Sequence, residues 1–217
     1  MIEQEYILLI FNCIKYRFKA LKQKETWILD LPKNILYFHV IGVPELTSKY
    51  LFSPSENILY VKVGDDYNSL PKKVIKAYLA VYETYKFKYI FKTDDDQMVT
   101  NIRFFDIVMN SLNKKYDDLQ NRIHYGGHIV DVKQSYHSEY YRIHPELPKN
   151  LIVKATRYCS GRFYFLSNNS VEELIKKMDQ ISEEFLEDYS IGYNLPTQFK
   201  TNILSLDTNK YFIDHNN

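Results

Sequence analysis

The sequence predicts an α/β fold in which helices flank a mainly parallel central sheet. Short runs of apolar residues, which are typical of buried strands, alternate along the chain with stretches of helical spacing. Alternation of strands and helices favours parallel strands joined by helical crossovers. A chain of 217 residues without repeats or Gly/Ser-rich linkers suits one domain with one core.

The first hundred residues carry the clearest alternation. Tyr6–Phe11 is continuously apolar, which predicts a strand buried on both faces. Residues 14–27 form a basic amphipathic stretch that predicts a helix, and residues 34–41 and 57–63 predict two further strands. Residues 70–85 carry apolar side chains at helical spacing and predict a second helix.

The remaining chain begins with a short buried strand and continues less regularly. The strand is Tyr89-Ile90-Phe91, and it leads directly into three consecutive acids. The later predictions are a helix at 104–112, a strand at 123–130, a Tyr-rich loop at 135–148, a strand at 162–166, a helix at 171–178, an acidic segment at 185–193 and short strands within 203–215.

Charge and hydropathy exclude several classes of protein. Lys plus Arg is 28 and Asp plus Glu is 27, so the net charge of +1 predicts no nucleic-acid partner. The opening residues are acidic, and the apolar run at 6–14 is far shorter than the roughly 20 residues that span a bilayer. We therefore expect no membrane span and a cytoplasmic location. The expected organisation is a single domain, 1–217, with a nucleotide-binding half at 1–100 and an acceptor-binding half at 101–217.

The three consecutive acids, Asp94, Asp95 and Asp96, are the strongest indication of chemistry. They follow a buried strand, and open α/β sheets bind ligands at the carboxyl ends of their strands. Apolar Met98 and Val99 come next, which favours a return into the fold over a solvent-exposed acidic turn, the simpler alternative. Carboxylate oxygens suit Mn²⁺ or Mg²⁺, which commonly share their coordination with phosphate oxygens. The triplet therefore predicts a metal-assisted diphosphate site.

The segment Phe91–Asp96 resembles the "(F/L)KxDDD" signature of glycosyltransferase family 31, which includes β-1,3-galactosyltransferases, core 1 galactosyltransferases and fringe proteins. Five further segments resemble motifs of that family in the same order along the chain. They are Glu25-Thr26-Trp27, Asp66-Tyr67-Asn68-Ser69-Leu70 with Lys73, Tyr125-Gly126-Gly127, Tyr158-Cys159-Ser160-Gly161, and Glu187-Asp188 with Gly192.

The resemblance implies a GT-A type, Rossmann-like sandwich that binds a UDP-sugar with Mn²⁺ or Mg²⁺. It implies Asp96 as metal ligand, together with Asp94, and His215 as the residue that completes the metal shell. A disordered chain end is the alternative for His215. The donor-binding residues that it implies are Asp94, Asp95, Lys73 (or its neighbour Lys72), Lys24 in the place of a family Arg, and Lys92.

The resemblance also implies Asp188 as the catalytic base of an inverting enzyme. A helix N-cap is the alternative for the pair Glu187-Asp188. The implied acceptor and sugar pocket contains Ser160, Gly161, Arg162 and Glu187. The family continues "YCSG" with further glycines, whereas this chain has Arg162 and Phe163, which we expect to narrow the pocket.

The function that these motifs predict is transfer of galactose, N-acetylglucosamine or glucose from a UDP-sugar. The acceptor would be a hydroxyl of a glycan or glycoprotein, in protein glycosylation, and the new linkage would be β. One alternative is a sugar- or nucleotide-binding protein of the same fold that has lost activity, which Arg162 and Phe163 favour. The other is a metal-dependent phosphotransferase or nuclease, which the balanced charge disfavours.

Overall fold

A mixed sheet of eight strands forms the centre of the protein, which we describe over residues 1–215 of a computed structural model. Residues 216 and 217, the end of the expected acceptor-binding half, lie outside the described residues. Across the described residues the strands, eight of which form this sheet while the others pair in two-stranded sheets, are β1 (Ile2–Glu3), β2 (Tyr6–Phe11), β3 (Ile35–Gly42), β4 (Tyr50–Ser53), β5 (Ile58–Val61), β6 (Tyr85–Lys86), β7 (Tyr89–Asp94), β8 (Gln97–Val99), β9 (Tyr125–Val132), β10 (Tyr136–His137), β11 (Ile152–Val153), β12 (Thr156–Ser167), β13 (Leu204–Ser205) and β14 (Phe212–Asp214).

Helices cover both faces of this sheet. They are α1 (Arg17–Lys24), α2 (Leu70–Thr84), α3 (Arg103–Asn113), α4 (Asn168–Ile175), α5 (Met178–Ser182) and α6 (Glu187–Asn194). Short 3-10 turns lie at Ile14–Tyr16, Trp27–Asp30, Tyr140–Arg142, Thr197–Lys200 and Thr208–Lys210. No helix within residues 1–215 combines the length and apolar character needed to cross a membrane.

The sheet has the order β13-β9-β12-β7-β2-β3-β5-β4. Its centre is parallel: β2 pairs with β3 and β7, and β3 pairs with β5, all in the same direction. The first half of the chain therefore forms the parallel sheet that its alternating strands and helices predict. On one side β12 runs antiparallel to both β7 and β9, and on the other β4 runs antiparallel to β5. The α/β class is confirmed, and the antiparallel strands make the sheet mixed.

Alternate residues of β2 face two different hydrophobic cores. Every residue of β2 is buried, because helices lie on both sides of this central strand. One core takes Ile7, Leu9 and Phe11 and is covered by α2, α4, α5 and α6. The other takes Tyr6, Leu8 and Ile10 and is covered mainly by α3.

Residues 14–27 differ from the single helix that their pattern predicts. The segment starts with a 3-10 turn, continues as α1 and ends before a second 3-10 turn that begins at Trp27. Trp27 is buried and its ring stacks on Phe105 of α3, with 6.1 Å between ring centroids. Burial of this large ring against the core pulls the chain out of the helical path.

Two strands also differ from the pattern. β4 lies in a segment for which the sequence indicates only a loop, because its four residues are too few to show a period. β12 spans twelve residues and thus extends well beyond the predicted strand at 162–166. Its first residues are mostly polar or small, so the hydrophobicity pattern does not predict a strand there.

We predict that Phe163→Ala lowers the free energy of unfolding by about 3–5 kcal/mol, because the truncated side chain leaves a cavity. Phe163 is fully buried on β12, and its ring lies 4.8 Å from that of Phe104 and 5.4 Å from that of Phe212. Urea denaturation measures the effect. Leu119→Ala at an exposed site is the control and should change stability by less than about 0.5 kcal/mol. Equal losses in the two variants would contradict this account of the core.

Candidate active site

A cleft of about 890 Å³ opens at the carboxyl ends of the central parallel strands. The acid triplet follows β7 there, next to the end of β2: Phe11 pairs with Asp94, and Asp95 donates its N–H to the carbonyl of Phe11 at 3.1 Å. Parallel strands present their carboxyl ends at one edge of a sheet, so the loops after β2 and β7 meet here. This is where the sequence predicts the diphosphate site.

Acids, lysines and aromatic rings line the cleft. The acids are Asp65, Asp66, Asp94, Asp95, Asp96, Glu146, Glu187 and Asp188. The basic side chains are Lys15, Lys19 and Lys73, and the aromatic ones include Tyr16, Tyr67, Tyr136, Tyr140, His144 and Tyr158. A surface with this many carboxylates favours a cation, and the lysines offer contacts for phosphate oxygens.

Lys92 lies beneath the cleft with only 1% of its surface exposed. Its Nζ lies 2.7 Å from Asp94 Oδ1 and 2.9 Å from Glu187 Oε2, and it donates a hydrogen bond to the carbonyl of Gly161. Burial disfavours its charge, but the two carboxylates more than offset this and raise the pKa of Lys92 above its usual range. The ammonium therefore stays charged and joins β7, β12 and α6.

The acid triplet has unequal surroundings. Burial raises the pKa of Asp94 to about 6, with Lys92 opposing the shift. Burial raises the pKa of Asp95 to about 7, and Lys19, whose Nζ is 3.7 Å from Asp95 Oδ1, opposes it. Asp96 receives a hydrogen bond on Oδ1 from Gln97 Nε2 at 2.9 Å. Asp94 and Asp95 thus each have a lysine partner, and Asp96 has a neutral amide.

Asp188 lies in the first turn of α6 and lines the cleft. Its Oδ2 accepts the N–H of Gly161 at 2.9 Å, and its Oδ1 accepts the N–H of Tyr189 at 2.7 Å. Burial raises the pKa of the Asp188 carboxyl. The carboxylate therefore bonds across to β12, and the N-cap position of α6 is occupied by Leu186 and not by the pair Glu187-Asp188.

Glu187 has a mainly structural environment, although it also lines the cleft. It is buried, and besides its ion pair with Lys92 it accepts a hydrogen bond from the Tyr164 hydroxyl. Tyr164 in turn shares a hydrogen bond with Tyr78 of α2. The side chain thus secures α6 to the core.

Gly161 lies between the predicted metal-binding and catalytic residues. A Cβ added to Gly161 would lie 3.2 Å from Lys92 Nζ, 3.4 Å from Asp94 Oδ2 and 3.7 Å from Asp188 Cβ. A Cβ here would be tight against the Lys92 ammonium and in ordinary van der Waals contact with Asp94 and Asp188. Gly161 therefore lies in contact distance of both the acid triplet and α6, with no side chain between them.

Gly192 permits a close approach to β12 one turn further along the same face of α6. A Cβ at Gly192 would collide with Cα and Cβ of Tyr158 on β12. α6 can therefore rest directly on the β12 backbone, which brings Asp188 within hydrogen-bonding distance of Gly161.

His215 lies beside Asp96, as the family resemblance implies, through backbone pairing. β14 pairs antiparallel with β8, and the N–H of His215 donates to the carbonyl of Asp96 at 2.6 Å. Within residues 1–215, no three His, Cys, Asp or Glu side chains are arranged as a ready-made metal site. Asp94, Asp96 and His215 thus do not form a complete ligand set on their own.

Besides Lys92 and His215, three predicted site residues lie outside the cleft lining. The Lys24 ammonium donates a hydrogen bond to the carbonyl of Glu56, at the turn between β4 and β5, and does not face the cleft that would bind the sugar nucleotide. Arg162 forms an ion pair with Asp214 at 2.8 Å and does not narrow the cleft. Ser160 is also absent from the lining.

Lys73 does line the cleft, but its Nζ is already bonded to the carbonyl of Asn12 at 2.9 Å and to Asp65 Oδ1 at 2.7 Å. Lys15 and Lys19 are the cleft lysines that the sequence analysis missed. Both lie in a basic stretch, and nothing in that stretch distinguishes them from its other lysines.

An aromatic stack forms a further part of the cleft that the motifs did not reveal. Tyr67 and His144 stack with ring centroids 3.9 Å apart, and the ring of Tyr140 is nearly parallel to that of His144. His144 and Tyr140 come from the Tyr-rich loop that the sequence places towards the acceptor. Tyr67 belongs to the motif at 66–70, but nothing in the sequence indicates that its ring stacks on His144.

A comparison with known protein families shows to which family the chain belongs. A family model described as Galactosyltransferase matches residues 21–200, which is most of the chain. The chain belongs to the galactosyltransferase family. The resemblance drawn from the motifs is confirmed, and so at the level of the family is the expectation of a hexosyltransferase.

Other proteins resemble this galactosyltransferase-family chain more remotely. The glycosyltransferase GlyE of Streptococcus pneumoniae TIGR4 is 10% identical, with 95% of this chain and 46% of GlyE covered and a TM-score of 0.45. The WbbM bifunctional glycosyltransferase is 12% identical, with 94% and 39% covered and the same TM-score. The RecBCD enzyme subunit RecB of Borreliella burgdorferi is 27% identical over 125 residues, 57% of this chain and 10% of RecB. The chain spans less than half the length of each.

We predict that Lys92→Met destabilises the protein by about 3–5 kcal/mol, because it leaves the buried Glu187 and the partly buried Asp94 without their counter-charge. Urea denaturation at neutral pH measures the loss. Lys86→Met is the matched control, since Lys86 pairs with Glu3 on the surface and such pairs contribute about 0–1 kcal/mol. A loss in Lys92→Met no larger than that in Lys86→Met would contradict the central role of this ammonium.

Proposed function

We propose that this galactosyltransferase-family chain is an inverting, metal-dependent glycosyltransferase. It moves a hexose from a UDP-sugar to a hydroxyl of a glycan or glycoprotein and forms a β-linkage. The observation that carries the proposal is the position of Gly161, which brings the acid triplet and Asp188 to opposite sides of one glycine in one cleft. The diphosphate would depart on the side of the acid triplet, and the acceptor would attack from the side of Asp188. The transferred sugar must therefore lie between the triplet and Asp188.

The acid side of the cleft fits a divalent cation shared with a diphosphate. Asp96 lines the cleft, and its carboxylate has no lysine partner among the described residues, whereas Asp94 and Asp95 each have one. A cation held mainly by Asp96 would take its remaining ligands from phosphate oxygens and water, which suits Mn²⁺ or Mg²⁺. When bound, such an ion stabilises the negative charge of the departing diphosphate.

The lysines of the cleft suit the donor. Lys15 and Lys19 lie on the segment that follows β2, beside Asp95, and their charges favour an anionic ligand at this edge. Lys73 and Lys92 are already bonded within the protein, so we assign them to holding Asp65, Asp94 and Glu187 in place. The donor role inferred for Lys73 and Lys92 thus becomes an indirect one.

Asp188 suits the role of base on the acceptor side. Its carboxylate is oriented by two backbone N–H groups, and its raised pKa makes it a better proton acceptor than an exposed aspartate. An acceptor hydroxyl that loses its proton to Asp188 would attack the anomeric carbon on the face opposite the departing UDP. This geometry converts an α-linked donor into a β-linked product.

The aromatic side chains suit a carbohydrate acceptor. Tyr67, Tyr140, His144 and Tyr158 line the cleft near Asp188, whose charge raises the pKa of Tyr67 in addition to the effect of burial. Aromatic rings bind the apolar faces of sugars while their hydroxyls remain available for hydrogen bonds. This favours a glycan over a polyanionic acceptor.

Arg162 and Phe163 do not support the non-catalytic alternative. They differ from the family glycines, but Arg162 lies outside the cleft lining and Phe163 is buried in the core. The cleft therefore stays open for a sugar at the point where these residues follow Gly161.

We predict that UDP with Mn²⁺ raises the melting temperature of the wild-type protein by roughly 5–10 °C at ligand concentrations about a hundredfold above Kd. Asp96→Ala should abolish this rise, because the cation loses its protein ligand. Differential scanning fluorimetry measures both. The control is Asp117→Ala, which removes an exposed acid and should leave the rise intact. An unchanged response to UDP in Asp96→Ala would contradict the metal assignment.

We predict that Asp188→Asn lowers kcat by about 10²–10⁴-fold while the affinity for UDP stays near that of the wild type, because the base acts in the transition state. Steady-state transfer assays and UDP titration separate the two effects. Asp179→Asn, at an exposed position of α5, is the control. Glu187→Gln should instead lower stability, since it breaks the ion pair with Lys92.

The configuration of the product provides the independent check on Asp188. Nuclear magnetic resonance of the anomeric proton should show a β-linkage when the donor is α-linked. An α-linked product, or an Asp188→Asn variant with wild-type turnover, would show that the base is a different residue.

A further inference from the structure

We propose that Arg162 is a positioning residue that orients Asp96 through Asp214 and Gln97. The proposal rests on the proposed function, in which Asp96 binds the divalent cation. Arg162 stands where the resembling family has a glycine, and its side chain lies outside the cleft. The contacts that carry the proposal form one continuous path from β12 to the acid triplet.

The first link joins Arg162 to the C-terminal strand. Arg162 Nη2 donates to both carboxylate oxygens of Asp214, at 2.8 and 3.0 Å, and Nη1 donates to Asn209 Oδ1 at 2.6 Å. The planar guanidinium thus bridges Asn209, which precedes β14, and Asp214, the last residue of β14. These bonds hold the Asp214 carboxylate in one orientation. A lysine, with a single ammonium on a flexible stem, could not make this set of bonds.

The second link joins Asp214 to Asp96 through a buried amide. Gln97 Nε2 donates to Asp214 Oδ1 at 2.8 Å and to Asp96 Oδ1 at 2.9 Å, and Gln97 is 4% exposed. Both amide hydrogens are used in this way. The opposite amide orientation would point the Gln97 oxygen at two carboxylates, so the charges themselves select the observed one.

The third link is made by the backbone. β14 pairs with β8 so that Asp214 lies opposite Gln97, and His215 donates its N–H to the carbonyl of Asp96. β8 and β14 form a two-stranded sheet that is separate from the central sheet, to which Arg162 belongs. Arg162 therefore connects the two sheets next to the residue that must hold the cation.

Charge and position make opposite predictions for removal of Arg162. A guanidinium repels a nearby cation, so a purely electrostatic role predicts that Arg162→Ala binds Mn²⁺ more tightly than the wild type. A positioning role predicts weaker binding, because Asp214 and Gln97 become free to move and Asp96 loses its fixed orientation. Loss of a residue that orients a metal ligand typically weakens metal affinity 10–100-fold.

The experiment measures Mn²⁺ binding to the UDP-loaded protein by electron paramagnetic resonance of the free ion. We expect Arg162→Ala to bind Mn²⁺ roughly tenfold more weakly than the wild type. Arg162→Lys keeps the charge and should also bind more weakly, whereas Arg157→Ala, an exposed arginine on the same strand, should bind normally. Asp214→Ala breaks the same path at a side chain that is 55% exposed and outside the core, and it should also bind Mn²⁺ more weakly.

Hydrogen exchange gives a readout that needs neither metal nor turnover. The amides of residues 212–215 should exchange faster in Arg162→Ala and Asp214→Ala than in the wild type, while those of β2 and β7 stay protected. Mn²⁺ binding by Arg162→Ala that equals or exceeds the wild-type value would overturn the role of Arg162. A wild-type protein that binds no Mn²⁺ would overturn the metal-dependent function instead. Hydrogen exchange at residues 212–215 that is the same in Arg162→Ala as in the wild type would overturn the contact by which Arg162 holds β14.

Discussion

The buried ammonium of Lys92 is the interaction on which the arrangement of the cleft depends. It holds Asp94 of β7, the carbonyl of Gly161 on β12 and Glu187 of α6 around one charge. Neither the ammonium nor the buried Glu187 carboxylate could lie there unpaired, because an unpaired charge in a low-dielectric interior costs several kcal/mol. The same contacts fix the distance between the acid triplet and Asp188. Electrostatic neutrality in the interior and the spacing of the site thus have one cause.

The parts of the site that were predictable from the sequence are those fixed by local patterns. An apolar strand followed by three acids places Asp94, Asp95 and Asp96 at the edge of the sheet, and the structure puts them there. Asp188 could be placed near them only through the order of motifs in the family, since the contact with Gly161 spans 27 residues. Most of the parallel core was likewise predictable, because strands buried on both faces leave continuous apolar runs.

The remaining features depend on geometry that has no local signal. The register of β12 against β9 shifts between Cys159 and Tyr164, so the alternation that normally tells which way a side chain points fails at Gly161 and Arg162. The family resemblance implied Arg162 in the pocket, and the irregular register is why its side chain lies outside the cleft lining. Similarly, Lys19 and Lys24 both lie on α1, five residues and therefore about 140° apart around the helix axis. The rotation of α1 against the sheet decides which of them lies beside the acids, and a basic stretch does not specify that rotation.

The two outermost strands of the central sheet are short. β4 has four residues and is followed by Pro54, and β13 has two residues. An open sheet of eight strands presents unpaired backbone groups at both margins, which invite pairing with a neighbouring molecule. Short margins with a proline at one end offer few such groups. Edge-to-edge strand pairing between folded molecules is therefore disfavoured, which reduces the tendency of this chain to aggregate at high concentration.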